Sequence, residues 1–295
     1  MIYLILSILC TTVLYLFFQL FRRFKVDLFP AIIINYLTCT LTAPIFSNEP
    51  YLPYLQQIPH ELLLFSAMLG VSFVSVFYLM SSATQLLGVA GGTIVSRMSM
   101  IIPAGFAVFY LHEPFTLTKA IGILMALSAI YFTVGLQKKE NAENTLSRKN
   151  KMLWLPVAAF IGVGLVDTLL KISQIKFFGD KADSNFVGMT YFWSFCAGFL
   201  FVLIFKRQYL KLLLLRKNLL WGILLGLPNY FSIIFFYKAL TTPNLHATTI
   251  FPVNSVGIVA FSTLAAIIFL REKINLYKVT GLLLAIGAII MLSVF

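Results

Sequence analysis

Ten apolar runs, each about as long as a helix needs to cross a bilayer, constrain this chain more than any other feature. They cover residues 2–21, 28–46, 61–84, 92–111, 117–136, 152–175, 186–205, 218–240, 246–270 and 275–294. In hydrocarbon a helix satisfies its own backbone donors and acceptors, whereas a strand must close into a barrel. A barrel would need strands of about ten residues with alternating polarity, and no such alternation appears. The sequence therefore predicts an all-α membrane protein with ten transmembrane helices. Composition agrees: only 11% of the 295 residues are charged and 60% are hydrophobic, against about 25% charged in a soluble domain.

The net charge of +12 would suggest nucleic acid in a soluble protein. Here the basic residues gather in short segments between apolar runs, so they read as a topology signal and no nucleic-acid partner is expected. One set of connections holds Arg22, Arg23 and Lys25, then Lys138, Lys139, Arg148, Lys149 and Lys151. The same set continues with Lys206, Arg207, Lys211, Arg216 and Lys217, then Arg271, Lys273 and Lys278. The opposite side receives Lys119, Lys171, Lys176 and Lys181. Positive charge stays inside, which predicts cytoplasmic odd-numbered connections and two termini facing away from the cytoplasm. The expected location is the cell (inner) membrane, with multiple passes. The first run lacks a basic leader and a small-residue cleavage site, so it is expected to remain as a span. Cys10, Cys39 and Cys196 lie in apolar runs without metal-ligand spacing, which predicts buried thiols and no disulfide framework.

The longest polar stretch, 137–151, sits midway and divides the chain into a first five-helix repeat (1–136) and a second (152–295). The segment "LHEPFTLTKAIGILMALSAI" (111–130) aligns with "LREKINLYKVTGLLLAIGAI" (270–289). Glu113, Lys119, Gly122 and Ala126 match Glu272, Lys278, Gly281 and Ala285. An odd number of helices per copy makes the two copies enter the membrane in opposite senses. The expected architecture is thus two inverted five-helix repeats, a plan that places a binding site near the midplane. The small residues Gly122, Ala126 and Ala129, with Gly281, Ala285 and Ala288, are expected to let helices pack closely.

On these residues, with "FYLMSSATQLLGVAGGTIVSRMSMIIP" and "PNYFSIIFFYKAL…IFPVNSVGIV", the chain resembles the EamA-like ten-helix members of the drug/metabolite transporter superfamily. The resemblance runs over nearly the whole chain. It implies a carrier of small organic metabolites such as amino acids, with a lean towards export.

Charges inside apolar runs are the candidate site residues, because a charge at the centre of a lipid-facing helix costs about 3 kcal/mol. Arg97 is the only Asp, Glu, Lys, Arg or His between Glu61 and His112. Its planar fork suits a carboxylate or phosphate, and the competing reading is a snorkelling arginine. Asp167 is a candidate protonatable carboxylate or ammonium partner. Lys171 follows at i+4, close enough to pair with it on one helix face. Lys238 lies near the outer end of its run, where snorkelling would also explain it. Asn35, Tyr78, Asn229, Tyr230 and Asn254 are neutral polar groups that could line a path or bond to a neighbouring helix. Tyr191 and Trp193 are expected to pack or to sit at the membrane interface. Pro103, Pro156, Pro228 and Pro252 are expected to interrupt helices, and Pro252 with Asn254 resembles the broken-helix sites of carriers.

No catalytic constellation and no phosphate loop stands out, and no cofactor is implied. "GVG" (162–164) has no following Lys or Ser/Thr. The expected function is secondary transport of a small-molecule solute through the lipid bilayer by alternating access, coupled to protons or to an exchanged solute. The alternatives are an intramembrane enzyme acting on a lipid substrate, or a non-transporting receptor or assembly subunit.

Overall fold

The computed structural model describes residues 1–47, 54, 58–134, 154–179, 181, 183–242, 245–270 and 276–294. Expectations for the linker 137–151 and for Glu272 lie outside the described residues. All described secondary structure is helical. The elements are α1 (Ile2–Arg23), α2 (Leu28–Thr42, continued by a 3-10 turn Ala43–Ile45), α3 (His60–Met98) and α4 (Ile101–Phe109). They continue with α5 (Leu117–Val134), α6 (Trp154–Ser173, ending in a π turn Gln174–Phe178) and α7 (Ser184–Phe205). The last are α8 (Tyr209–Leu213), α9 (Arg216–Leu240), α10 (Ala247–Leu270) and α11 (Leu276–Val294).

Seven helical stretches are long and apolar enough to cross a membrane: Ile2–Arg23, Leu28–Ile45, His60–Leu86, Trp154–Phe178, Ser184–Phe205, Arg216–Leu240 and Ala247–Phe269. Three shorter apolar helices, Ser96–Phe109, Leu117–Ala129 and Val279–Leu292, accompany them. This is a multi-pass membrane protein by length and composition. Its outer surface carries large apolar side chains such as Leu64, Leu124, Ile204 and Leu283, all exposed, which bulk water would not favour.

The 39 residues of α3 do not form a straight rod. A Cβ on Gly92 would lie 2.5 Å from the Cα of Thr84, yet eight residues of straight helix span about 12 Å. The chain therefore reverses over 85–91, and Gly92 is needed because the two limbs touch. Arg22 Nη1 donates to the Gln85 carbonyl at 3.1 Å, satisfying an acceptor at the bend. The separate apolar runs 61–84 and 92–111 correspond to these two limbs.

Most hydroxyls within the helices cost little because they bond their own backbone one turn back. Thr38 to Ile34, Thr84 to Met80, Thr168 to Gly164 and Thr190 to Phe186 all follow this pattern. Close packing falls on small residues. Gly222 and Gly226 of α9 meet Ile34 and Thr38 of α2, and Gly70 of α3 meets Thr190 and Trp193 of α7. Gly122 meets Leu292, Gly287 meets Met125, and Ala126, Ala129 and Ala288 are fully buried. The small-residue ridge thus joins α5 to α11, which pack together. The side chains of Ala285 and Lys278 lie outside the described residues.

Pro228 and Pro252 sit inside α9 and α10, which run through them without a break. The run 92–111 is interrupted at Ser99 and Met100, just before Pro103, whereas Pro156 stands at the start of α6. Pro103 and Pro156 are each the third residue of their element, in the first turn, where the missing N–H has no intrahelical acceptor to lose. The three cysteines are free; Cys39 is buried and Cys10 and Cys196 are half-buried.

Candidate functional site

A cavity of about 90 Å³ lies where α1, α2, α3, α6, α7, α9 and α10 converge. A water occupies about 10–15 Å³ on such a measure, so there is room for several waters or a small solute. Val166 lies about 18 Å along α6 from Trp154, roughly the middle of a bilayer crossing. Of the residues singled out from sequence, Arg97, Asp167, Asn229 and Asn254 line this cavity.

Arg97 lies in the second limb of α3, one residue before the helix ends, and is buried. Its Nε and Nη2 both donate to the Tyr15 hydroxyl at 3.3 Å, and its guanidinium carbon stands 5.7 Å from the centre of that ring. Tyr15 in turn donates to Met80 Sδ. This support comes from α1 and fixes one edge of the fork. Nη1 makes no hydrogen bond or ion pair with a described residue.

Asp167 reaches the cavity from α6. Among the described residues no hydrogen bond or ion pair reaches its carboxylate, and Arg97 stays beyond 4 Å. The two opposite charges border the same cavity. Gly164 of α6 packs against Ile102 of α4.

Neutral polar groups complete the lining. Asn229 Nδ2 donates to Asn35 Oδ1 at 3.1 Å. The Asn254 side-chain oxygen is buried without a partner among the described residues, two residues after the α10 proline, Pro252. Ser7 donates to the Ser232 carbonyl, Tyr36 to the Phe73 carbonyl and Tyr191 to the Asn229 carbonyl. For Tyr191 the sequence suggests a packing or interface aromatic, not a cavity residue with a hydrogen bond. Its ring is fully buried among aromatics while it also borders the cavity.

The other predicted residues are placed elsewhere. Lys171 does not pair with Asp167. Its ammonium donates to Gln174 Oε1 at 2.7 Å, since the π turn at the end of α6 brings Gln174 within reach. Lys238 is half-buried, with its ammonium 5.6 Å from the Tyr3 ring centre. Tyr78 faces outward and packs edge-on against Phe29. Tyr230 bonds Ser184, and Asn35 lies behind Asn229 as its support.

Sequence reasoning missed Ser7, Thr11, Tyr15, Tyr36 and Ser232. One signal was available: Ser7, Thr11 and Leu14 recur at helical spacing on α1. A second arrangement, outside the cavity, also went unread. Glu113 accepts from the backbone N–H groups of Ala247 (3.0 Å) and Thr248 (2.9 Å), capping α10 from the other half of the chain. Lys119 secures the same corner through Thr248 Oγ1 and the Pro114 carbonyl. No group of three or more His, Cys, Asp or Glu that could hold a metal comes together among the described residues.

No protein-family model matches the chain. A relative from Haemophilus influenzae (strain KW20 / Rd), described as an uncharacterized protein, is 25% identical over 97% of this chain and 95% of its own length. A solved crystal structure of a protein superposes on 98% of this chain and 97% of its own, with a TM-score of 0.66 at 12% identity. The chain shares that fold.

Proposed function

We propose that the protein is a secondary transporter of small zwitterionic metabolites, amino acids among them, working by alternating access. The observation that carries this reading is the pair Arg97 and Asp167, opposite charges bordering one cavity without bonding each other. Arg97 suits a carboxylate and Asp167 an ammonium, so a zwitterion answers both at once. A structural ion pair would have closed, since buried charges are costly unless paired.

In this reading the seven long helices and three shorter ones make ten spans in two inverted repeats, as in the EamA-like transporters that the sequence resembles. The packing supports it. α1 packs on α9 as α6 packs on α3, α2 packs on α9 as α7 packs on α3, and α1 packs on α10 as α6 packs on α4. α2 with α7, α4 with α10 and α5 with α11 pack on each other. Exchanging the halves maps each of these contacts onto another of the set or onto itself. The reversal in α3 supplies the extra crossing. The basic connections then face the cytoplasm of an inner membrane and both termini face away. Protons or a counter-solute drive the exchange.

Flux into liposomes containing only this protein tests the reading. Zwitterionic amino acids should exchange, while carboxylates without an ammonium and amines without a carboxylate should be poor substrates. Uptake of either singly charged class at rates equal to the zwitterions would overturn the two-charge assignment. A C-terminal reporter active only inside the cell should stay silent.

A further inference from the structure

One end of the bundle gathers two basic segments that are far apart in sequence. Asp27, after α1, and Asn218, in the first turn of α9, bond reciprocally. The Asp27 backbone N–H donates to Asn218 Oδ1 at 3.1 Å, and Asn218 Nδ2 donates to Asp27 Oδ2 at 2.9 Å. Asn218 is fully buried and also donates to the Leu212 carbonyl of α8 at 2.8 Å. The Lys217 ammonium donates to the Lys25 carbonyl. These bonds lock Arg22, Arg23 and Lys25 against Lys206, Arg207, Lys211, Arg216 and Lys217, all eight exposed. None of the eight forms an ion pair with a described residue. Asp27 is the only acid in the two segments, and its carboxylate is already engaged by Asn218.

Two more observations give this end a direction. Lys25 holds a left-handed backbone (φ +50°), while the Val26 N–H reaches back to the Phe21 carbonyl. That helix-ending position favours glycine, and here it carries a cation. Beside the cations stand exposed apolar side chains: Phe24, its ring tilted against that of Trp221, then Leu215 and Leu214, the last 83% exposed. Cations bordered by an apolar skirt match the boundary between headgroups and acyl chains.

We propose that this end is a binding site for the phosphate headgroups of anionic phospholipids, with the skirt in the acyl region and the cations on the phosphates. A soluble phosphate would leave the skirt without a partner. The site stands independently of the transport reading, because it lies at the bundle end and shares no residue with the cavity.

The test is thermal unfolding of the purified full-length protein in a zwitterionic detergent. Wild type is titrated with dioleoylphosphatidylglycerol, with dioleoylphosphatidylcholine and with glycerol phosphate, because a ligand specific for the native state raises the midpoint. Phosphatidylglycerol should raise it, and the other two should not. The triple variant Lys25→Gln, Arg216→Gln, Lys217→Gln should lose most of that rise. Removing equal charge from the linker, Lys138→Gln, Lys139→Gln, Arg148→Gln, should leave it intact. Asn218→Ala keeps every charge but unlocks the two segments, and should also lose it. Equal rises with phosphatidylcholine or glycerol phosphate would overturn the proposal. So would a full phosphatidylglycerol rise in the triple variant, or an equal loss in the linker control.

Discussion

Glu113 and Asp167 are both carboxylates that reach from one half of the chain towards the other, and their surroundings differ in one decisive respect. Glu113 is saturated. It takes two backbone N–H groups at the start of α10, where the helix dipole also favours a negative charge. Asp167 borders a cavity, has no hydrogen-bond partner among the described residues, and is opposed at a distance by Arg97. A saturated carboxylate holds structure together. An unsatisfied one beside an open space is available to a ligand, because burying a charge without partners is otherwise expensive.

The strongest way to break this comparison is Asp167→Asn, which keeps the shape and removes the charge. Zwitterion affinity should fall by about a hundredfold, the upper range for a charged hydrogen bond. Any pH dependence of flux that Asp167 provides should vanish, while the unfolding midpoint should hold. Flux assays over a pH series check this, and wild-type behaviour would make Asp167 structural.

Next in size is Arg97→Gln, with an expected loss of about tenfold to a hundredfold in affinity. Arg97→Lys should lose less, because the charge survives and only the fork disappears. Equilibrium binding on folded protein measures both.

Glu113→Ala sharpens the other side. It should lower stability by about 1–2 kcal/mol, the cost of a lost helix cap, and leave affinity unchanged. Thermal unfolding paired with a binding isotherm separates the two effects. A lost affinity at normal stability would erase the contrast.

The smallest expected change is Tyr15→Phe. The ring stays beneath the guanidinium and only the acceptor for two Arg97 donors is removed. A loss of about two- to tenfold in affinity is expected, from a net hydrogen-bond worth of about 0.5–1.5 kcal/mol.

The helical class and nearly every helix boundary were legible from residue order alone. A span must be apolar over its whole length, and the polar connections that interrupt such runs are conspicuous. Even the reversal inside α3 was visible, as the gap between the runs 61–84 and 92–111. Arg97 and Asp167 were legible too, since an ionisable residue among apolar neighbours is rare and stands out by type alone. The tertiary structure decided which of these residues meet. In a soluble helix an apolar stripe marks the buried face. A helix in lipid is apolar all round, so the sequence of α7 gave no sign that Tyr191 faces a cavity, nor that of α3 that Tyr78 faces outward. Lys171 lay one turn from Asp167, yet the π turn after α6 presented Gln174 instead. Tyr15 and Arg97 are separated by 82 residues, Glu113 and Ala247 by 134, and Asp27 and Asn218 by 191. Partners that distant are chosen by how helices cross and pack, and local pattern carries no information about that choice.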